Sequence, residues 1–503
     1  MVASVLSCML RGLKGQVVEV QVDVSTGKPG FNLVGLGDAG VKEARERVRS
    51  AIRNSLLPFP PQRLTVNLAP AELRKEGSGF DLPVAVAISL AMAGRVAPPA
   101  SAFIGELRLD GSVRHSDGVL VAARALRSAG VETLYVGPED ADEAALVPDL
   151  RVVAAPDLAS LMRHLAGDQQ LPALLGSAPA APVALPVEDD LAEVHGQEAA
   201  RRALELSAAG GHHLLLSGPP GAGKTMLARC LPGILPRLTL DEALEVAQVR
   251  SILGELEGGH PLRWERPFRA PHHTISTAGL AGGGSGLGRP GEISRADHGV
   301  LFLDELAEFQ PPALQSLRQP IETGCVTLTR SRGAVTYPAR FTLVAATNPC
   351  PCGWAGDDRR ACRCPPGAIE RYQRSLSGPF LDRIDLRVAV TRPPLEALAG
   401  GAGGEPSSAV RVRVMAARDR QLARQGCLNS QLRPARLREF APLGSGRRLL
   451  ERWAEERGLT ARGFHRAWRV ARTAADLDGE EAIAERHILE ALGYRLLERD
   501  RAA

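Results

Sequence analysis

HHLLLSGPPGAGKTMLA, residues 212–228, runs an apolar strand into a glycine-rich turn and then into a helix. Gly218, four further residues, Gly223, Lys224 and Thr225 fit the pattern GxxxxGK[ST] in the strand–loop–helix setting that the pattern requires. In Gly218-Pro219-Pro220-Gly221-Ala222-Gly223 the glycines let backbone N–H groups turn inward around phosphates, and the helix opened by Lys224, Thr225 and Met226 adds its dipole. Lys224 then reaches the terminal phosphates of ATP, and Thr225 reaches a magnesium ion. Two more apolar runs, Gly299–Leu303 and Phe341–Ala346, join His213–Ser217 as strands buried on both faces. Short two-sided runs of this kind belong to a parallel sheet covered by helices, so the class is α/β.

Working outward, GVLFLDEL places Asp304 and Glu305 at the end of the second run, where parallel strands deliver side chains to a ligand. Acidic pairs at strand ends are commonly just solvated. Following a phosphate loop, Asp304 instead holds the magnesium shell and Glu305 polarises a water against the γ-phosphate. Asn348, after the third run, can hold that water, sense the γ-phosphate or serve as a turn residue. In SGPFLDRID, Arg383 stands between two aspartates. It can pair with them, or it can be presented at a subunit edge to stabilise charge on a neighbour's nucleotide.

The chain's 503 residues imply about three domains, and 44% hydrophobic with 23% charged residues exclude disordered and collagen-like classes. Its apolar start, MVASVLSCML, lacks the basic stretch and cleavage site of a secretory signal, and no run reaches the ~18 apolar residues of a membrane span. A cytoplasmic protein without a membrane partner is expected. Two composition breaks divide it: residues 1–166, an α+β unit; a linker over 167–186; a central unit over 187–398; a linker over 399–408; and a helical unit over 409–503. In the first unit, Val17–Val24 and Leu64–Leu68 read as strands. Asp38 would cap a helix burying Val41, Ala44, Val48, Ile52 and Leu56, and Leu82–Ala93 reads as a buried helix. In the last unit Phe464, Ala467, Trp468, Ala471, Ala474 and Leu477 share a helix face with Arg466, Arg469 and Arg472 interleaved. Net charge is only +4, but arginine concentrates in this unit, which permits a nucleic-acid-facing end. Lys224 is the sole lysine after Lys75.

Of eight cysteines, Cys350, Cys352, Cys362 and Cys364 form two Cys-x-Cys pairs on one loop, enough ligands for a tetrahedral zinc site although the usual spacing is Cys-x-x-Cys. Cys8, Cys230, Cys325 and Cys427 read as ordinary small residues, and His272-His273 as structural. Cys325–Pro338 alternates on both sides of Ser331-Arg332-Gly333, which predicts a hairpin.

Assembled with RPFRAPHHTISTAGLAGGGSGLGRPGEISRADHGVLFLDELAEF, NPCPCG and LSGPFLDRID, these motifs resemble, over nearly the whole chain, the magnesium-chelatase-like AAA+ ATPases of the YifB/ComM family. The resemblance implies a hexameric ring with nucleotide at subunit junctions, Arg383 as an arginine finger in trans and Arg462 as sensor 2 of a C-terminal helical lid. It also implies that Val194, His195, Gly196 and Gln197 border the adenine. Ala278–Gly291 resembles the helix-2 insert. Insert and hairpin would face the pore, where Arg330 and Arg332 meet a DNA backbone without reading its sequence. The implied task is branch migration of single-stranded and branched DNA during natural transformation. A chelatase motor and a protein-remodelling ATPase are the alternatives. RKEGSGFDLPVAVAIS resembles the Lon-protease segment that carries the serine, but Gly79 stands at about that position. Ser78 is one place off, and no lysine lies between Gly105 and Gly130, so the first unit is expected to be non-proteolytic.

Overall fold

The structure is a computed structural model that describes residues 1–35, 39–70, 79–177, 179, 189–256, 262–284, 286–331, 333–357, 359–376, 378–392 and 404–495. It is mixed α/β. The central sheet holds five parallel strands in the order Phe268–Arg269, Val300–Leu303, Thr342–Thr347, Leu214–Ser217, Leu386–Ala389. The three strands read from the sequence fall within a residue of their expected bounds. Register explains why three motifs far apart in the chain converge. Ser217 pairs with Thr347, and Leu303 with Ala345, so the residues that follow, Gly218, Asn348 and Asp304, leave the sheet at the same carboxyl edge. Gly218 is required there because a Cβ would lie 2.1 Å from the Val390 carbonyl oxygen.

The first unit is built on a mixed eight-stranded sheet in the order Ala173–Leu175, Arg151–Ala154, Thr133–Val136, Ser101–Phe103, Val2–Arg11, Lys14–Ser25, Arg63–Ala69, Gly30–Val34. Helix Asp81–Ala93 is buried along almost its whole length, as its uninterrupted apolar sequence requires. Helix Ala39–Asn54 buries Ala44, Val48 and Ile52 as expected. Leu56, expected on the same face, instead lies past the helix end with φ +58° and is 94% exposed, because the chain turns at Ser55 and leaves the helical period. Asp38 and Ser78 lie outside the described residues.

The linker boundaries read from composition shift. Ala173–Leu175, inside the first linker, pairs antiparallel with Arg151–Ala154 as an edge strand. The C-terminal helices begin at Ser407, inside the second. The first and central units also share a core. Leu238, Ala243, Leu244, Val246, Leu262 and Trp264 join one apolar cluster with Val119, Leu120, Leu126 and Leu146. Buried Glu143 crosses between the units, accepting from Leu120 N at 2.7 Å and from Ser251 Oγ at 2.6 Å.

Helices Ser407–Gln425, Pro434–Phe440, Arg447–Arg457, Ala461–Leu477 and Glu485–Gly493 form the last unit. Part of its arginine excess is engaged in ion pairs within the fold. Arg472 is buried and pairs with Asp476 at 3.0 Å, Arg424 pairs with the same carboxylate at 2.7 Å, and Arg413 pairs with Glu205 at 2.7 Å. Arg433, Arg436, Arg438, Arg448 and Arg457 are exposed, so a basic surface remains on this unit. Arg466 pins the long helix to the core through Asp385 at 2.6 Å. Among the described residues no helix is long and apolar enough to cross a membrane.

Candidate active site

A cleft of about 510 Å³ opens at the carboxyl edge of the parallel sheet, lined by Pro220 to Met226, Asp304, Glu305, Thr347 and Asn348. Gly221 and Gly223 adopt φ +73° and +86°, left-handed values that let the loop curl before helix Lys224–Ile234 begins. Lys224 is only 9% exposed, and burial lowers its ammonium pKa. Its Nζ donates to Gly218 O at 2.6 Å, Pro219 O at 3.0 Å and Asn348 Oδ1 at 3.0 Å, so loop and asparagine converge on one cation. Thr225 Oγ1 donates to Asp304 Oδ2 at 2.9 Å. These two oxygens at the mouth of the cleft fit magnesium, which takes one or two protein oxygens and keeps waters and phosphate oxygens as its other ligands.

Glu305 is held in a left-handed conformation, φ +51° and ψ +49°, with its N–H donated to Asp304 Oδ1 at 2.9 Å. Its partner was not legible from spacing in the chain. His273 Nδ1 lies 3.3 Å from Glu305 Oε2, and the His273 ring packs against His272 with centroids 4.1 Å apart. The paired histidines read as structural in the sequence, but their contact with the glutamate is set by tertiary packing. Tyr372, on helix Pro366–Ser375, is a second neighbour not anticipated; burial raises its phenol pKa, with Glu308 and Glu305 adding to the shift.

Other predicted residues lie around or away from the cleft. Val194 is buried, and Gln197 Nε2 donates to Ala222 O at 3.1 Å, so the segment Val194-His195-Gly196-Gln197 abuts the phosphate loop from outside. Arg383 pairs with neither adjacent aspartate: it bridges to Glu322 at 2.7 Å and does not line its own chain's cleft. Arg462 is exposed at the start of helix Ala461–Leu477, one turn before Arg466, and also stands off the cleft.

The hairpin forms as read, with Cys325–Arg330 paired to Gly333–Pro338 and Arg330 opposite Gly333. Arg332 lies outside the described residues. Beside the hairpin, helix Thr277–Ala281 and a ribbon of Gly282–Gly283 with Arg289–Pro290 form the insert, joined to the hairpin by Tyr337 Oη donating to Gly288 O at 2.7 Å. The turn between the first two strands of the chain abuts this pair: a Cβ at Gly12 would lie 3.1 Å from Val335 Cγ1, and one at Gly333 would lie 2.7 Å from Arg11 Nη2. Arg11, Lys14, Arg289 and Arg330 are all exposed on this face.

The four clustered cysteines are also brought together. Their sulfurs lie within 4.8 Å of one another, and backbone N–H groups of Arg363 and Trp354 push the Cys352 thiol down to about 6. All eight cysteines are free of disulfides.

Comparison with known proteins gives a consistent result along the chain. Residues 190–398 match the family described as magnesium chelatase, subunit ChlI; residues 20–140 match subunit ChlI of Mg-chelatase; and residues 404–495 match the ChlI C-terminal family. The chain is 42% identical to Competence protein ComM of Haemophilus influenzae over 99% of its own length and 98% of that protein. It is 43% identical to the uncharacterized protein YifB of Escherichia coli, covering 97% and 96% of the two chains.

Proposed function

We propose, on the premise that this chain belongs to the magnesium-chelatase (ChlI) family of AAA+ ATPases, that it is a hexameric, cytoplasmic ATP-driven DNA motor promoting branch migration. The observation that carries the DNA reading is its full-length identity of 42% with a protein named for competence. Exposed Arg11, Lys14, Arg289 and Arg330 support it, since clustered cations hold a phosphate backbone regardless of sequence, and in this reading Arg332 joins them.

In this reading Lys224 exchanges its carbonyl acceptors for phosphate oxygens, while Asn348 keeps its grip on the ammonium and so registers the γ-phosphate. Thr225 and Asp304 hold magnesium, which neutralises charge on the phosphates. Glu305 takes a proton from the attacking water. Arg383 leaves Glu322 to reach the neighbouring subunit's nucleotide, and Arg462 closes from the lid. Val194 to Gln197 border the adenine. Residues 1–166 act as a Lon-like but non-proteolytic module that backs the pore loops, residues 187–398 as the motor core and residues 409–503 as the lid.

Steady-state ATP hydrolysis with no DNA, single strands, duplex and a four-way junction tests this reading, together with junction movement on a gel. DNA should stimulate hydrolysis, and Glu305→Gln should bind ATP yet lose at least about 100-fold in kcat and all junction movement. Hydrolysis indifferent to every DNA would overturn the motor reading. It would favour a chelatase motor acting on magnesium, the reading that the family description supports, or a protein-remodelling ATPase.

A further inference from the structure

Behind the phosphate loop lies a cluster that ATP chemistry does not use. Cys350 Sγ is 3.4 Å from Cys352 Sγ and 3.6 Å from Cys362 Sγ, Cys352 and Cys362 are 3.6 Å apart, and Cys364 completes the set within 4.8 Å. Four thiolates at the zinc–sulfur bond length of about 2.3 Å span a tetrahedron with edges of about 3.8 Å, so these spacings are those of ligands around one ion. A disulfide would use two of the sulfurs and leave two crowded against it. A single tetrahedral ion uses all four, and sulfur-only ligation selects zinc or iron over hard cations. The outer shell is also in place: Ala355 N donates to Cys350 Sγ at 3.3 Å and Cys364 N to Cys362 Sγ at 3.4 Å, hydrogen bonds that stabilise charged sulfur.

This cluster is wired to the nucleotide cleft. Cys350 follows Asn348 by two residues, and the turn closed by Gly353 N donating to Cys350 O at 2.9 Å lies flush on the phosphate loop. Gly353 has φ +82°, and a Cβ there would stand 2.5 Å from Pro220 Cδ. The guanidinium groups of Arg360 and Arg392 stand over the Trp354 ring, 4.6 and 4.4 Å from its centroid, and Arg392 Nη2 donates to Pro220 O at 3.2 Å.

We infer that Cys350, Cys352, Cys362 and Cys364 bind one zinc ion per chain, and that this ion is a structural clasp holding Asn348 and Pro220 at the cleft. The metal site stands on the four sulfurs alone. Only the clasp role rests on the cleft being the nucleotide site.

Metal analysis of the purified full chain should give about one zinc per chain, and a Cys362→Ser/Cys364→Ser variant about a tenth of that or less. Cobalt exchanged into the parent should show the intense visible bands of a tetrahedral thiolate site, absent from the variant. A fluorescent ATP analogue should bind the variant about tenfold more weakly. Single Cys364→Ser, with circular dichroism matching the parent, serves as the second variant if the double one does not fold, and should show the same loss. Lys224→Ala should lose nucleotide binding but keep its zinc, which separates failure of the nucleotide site from failure of the metal site. Iron in place of zinc, no metal with four promptly reactive thiols, or zinc retained in the variants would overturn the site. Zinc lost with nucleotide affinity unchanged would overturn the clasp.

Discussion

Glu305 occupies a backbone conformation that residues other than glycine seldom adopt, at a cost of about 1–3 kcal/mol that the surrounding contacts must offset. The Asp304 carboxylate fixes its N–H, and His273 meets its side chain, so the glutamate is aimed from both ends. His273 is therefore a positioning residue. His273→Ala should lower kcat for ATP about tenfold with KM within about twofold, whereas His273→Asn, which keeps a donor near the Nδ1 position, should restore most of the rate. Equal losses in both variants would show that the ring acts only by filling space. That Gly218 to Thr225, Asp304 and Glu305 meet at one sheet edge could be read from sequence, because each motif directly follows an apolar strand run. His273, more than thirty positions upstream, could not, since its meeting with Glu305 depends on how the segment before the insert folds back over the sheet. Arg383 shows the converse limit: its neighbours in sequence suggested aspartate partners, and it found Glu322 instead.

Among elements, the parallel strands illustrate what periodicity captures. Val300–Leu303 and Thr342–Thr347 are buried at every position, and an uninterrupted apolar run announces that. Phe268–Arg269 is two residues long, Leu386–Ala389 carries a buried arginine, and Ala173–Leu175 sits in a proline-rich stretch, so each lacks the signal. At the start of the first core strand, half-buried His213 accepts a hydrogen bond from Leu343 N at Nδ1, 3.0 Å away. Burial pushes this imidazole down to about 4; Arg466 and His212 act in the same direction and Asp385 opposes. A folded pKa below the unfolded value of about 6.5 means that the unfolded chain binds the extra proton, so stability falls as pH drops from about 6.5 toward 4. The urea midpoint of the parent should therefore fall between pH 7 and pH 5 by the equivalent of about 1–2 kcal/mol more than that of His213→Gln. Parallel pH dependences for the two proteins would refute the assignment.

At the scale of the molecule, composition marks a change of texture between the first and central units but could not reveal that residues on its two sides share a core. Leu244, Val246 and Trp264 belong to the central segment in sequence and to the first unit's apolar cluster in space. Burying one such side chain contributes about 1.5–3 kcal/mol, so a chain limited to residues 187–503 would expose several of them at once. That fragment should melt at least about 5 °C below the full chain or aggregate, by differential scanning fluorimetry and sedimentation. An equally stable, monodisperse fragment would show that the shared cluster carries little of the stability. A separate contact, between the turn at Gly12 and the hairpin at Val335, means that movement of the hairpin must be felt by the first unit.

Lys224 has a further consequence outside catalysis. Beyond Lys75 it is the only primary amine in the chain, and it is drawn inward onto two carbonyls and an amide. Acylation, glycation or amine-directed cross-linking can therefore mark the central and terminal units at one point only, and that point is the phosphate loop. Any such covalent label on this half of the molecule doubles as a footprint of the nucleotide loop.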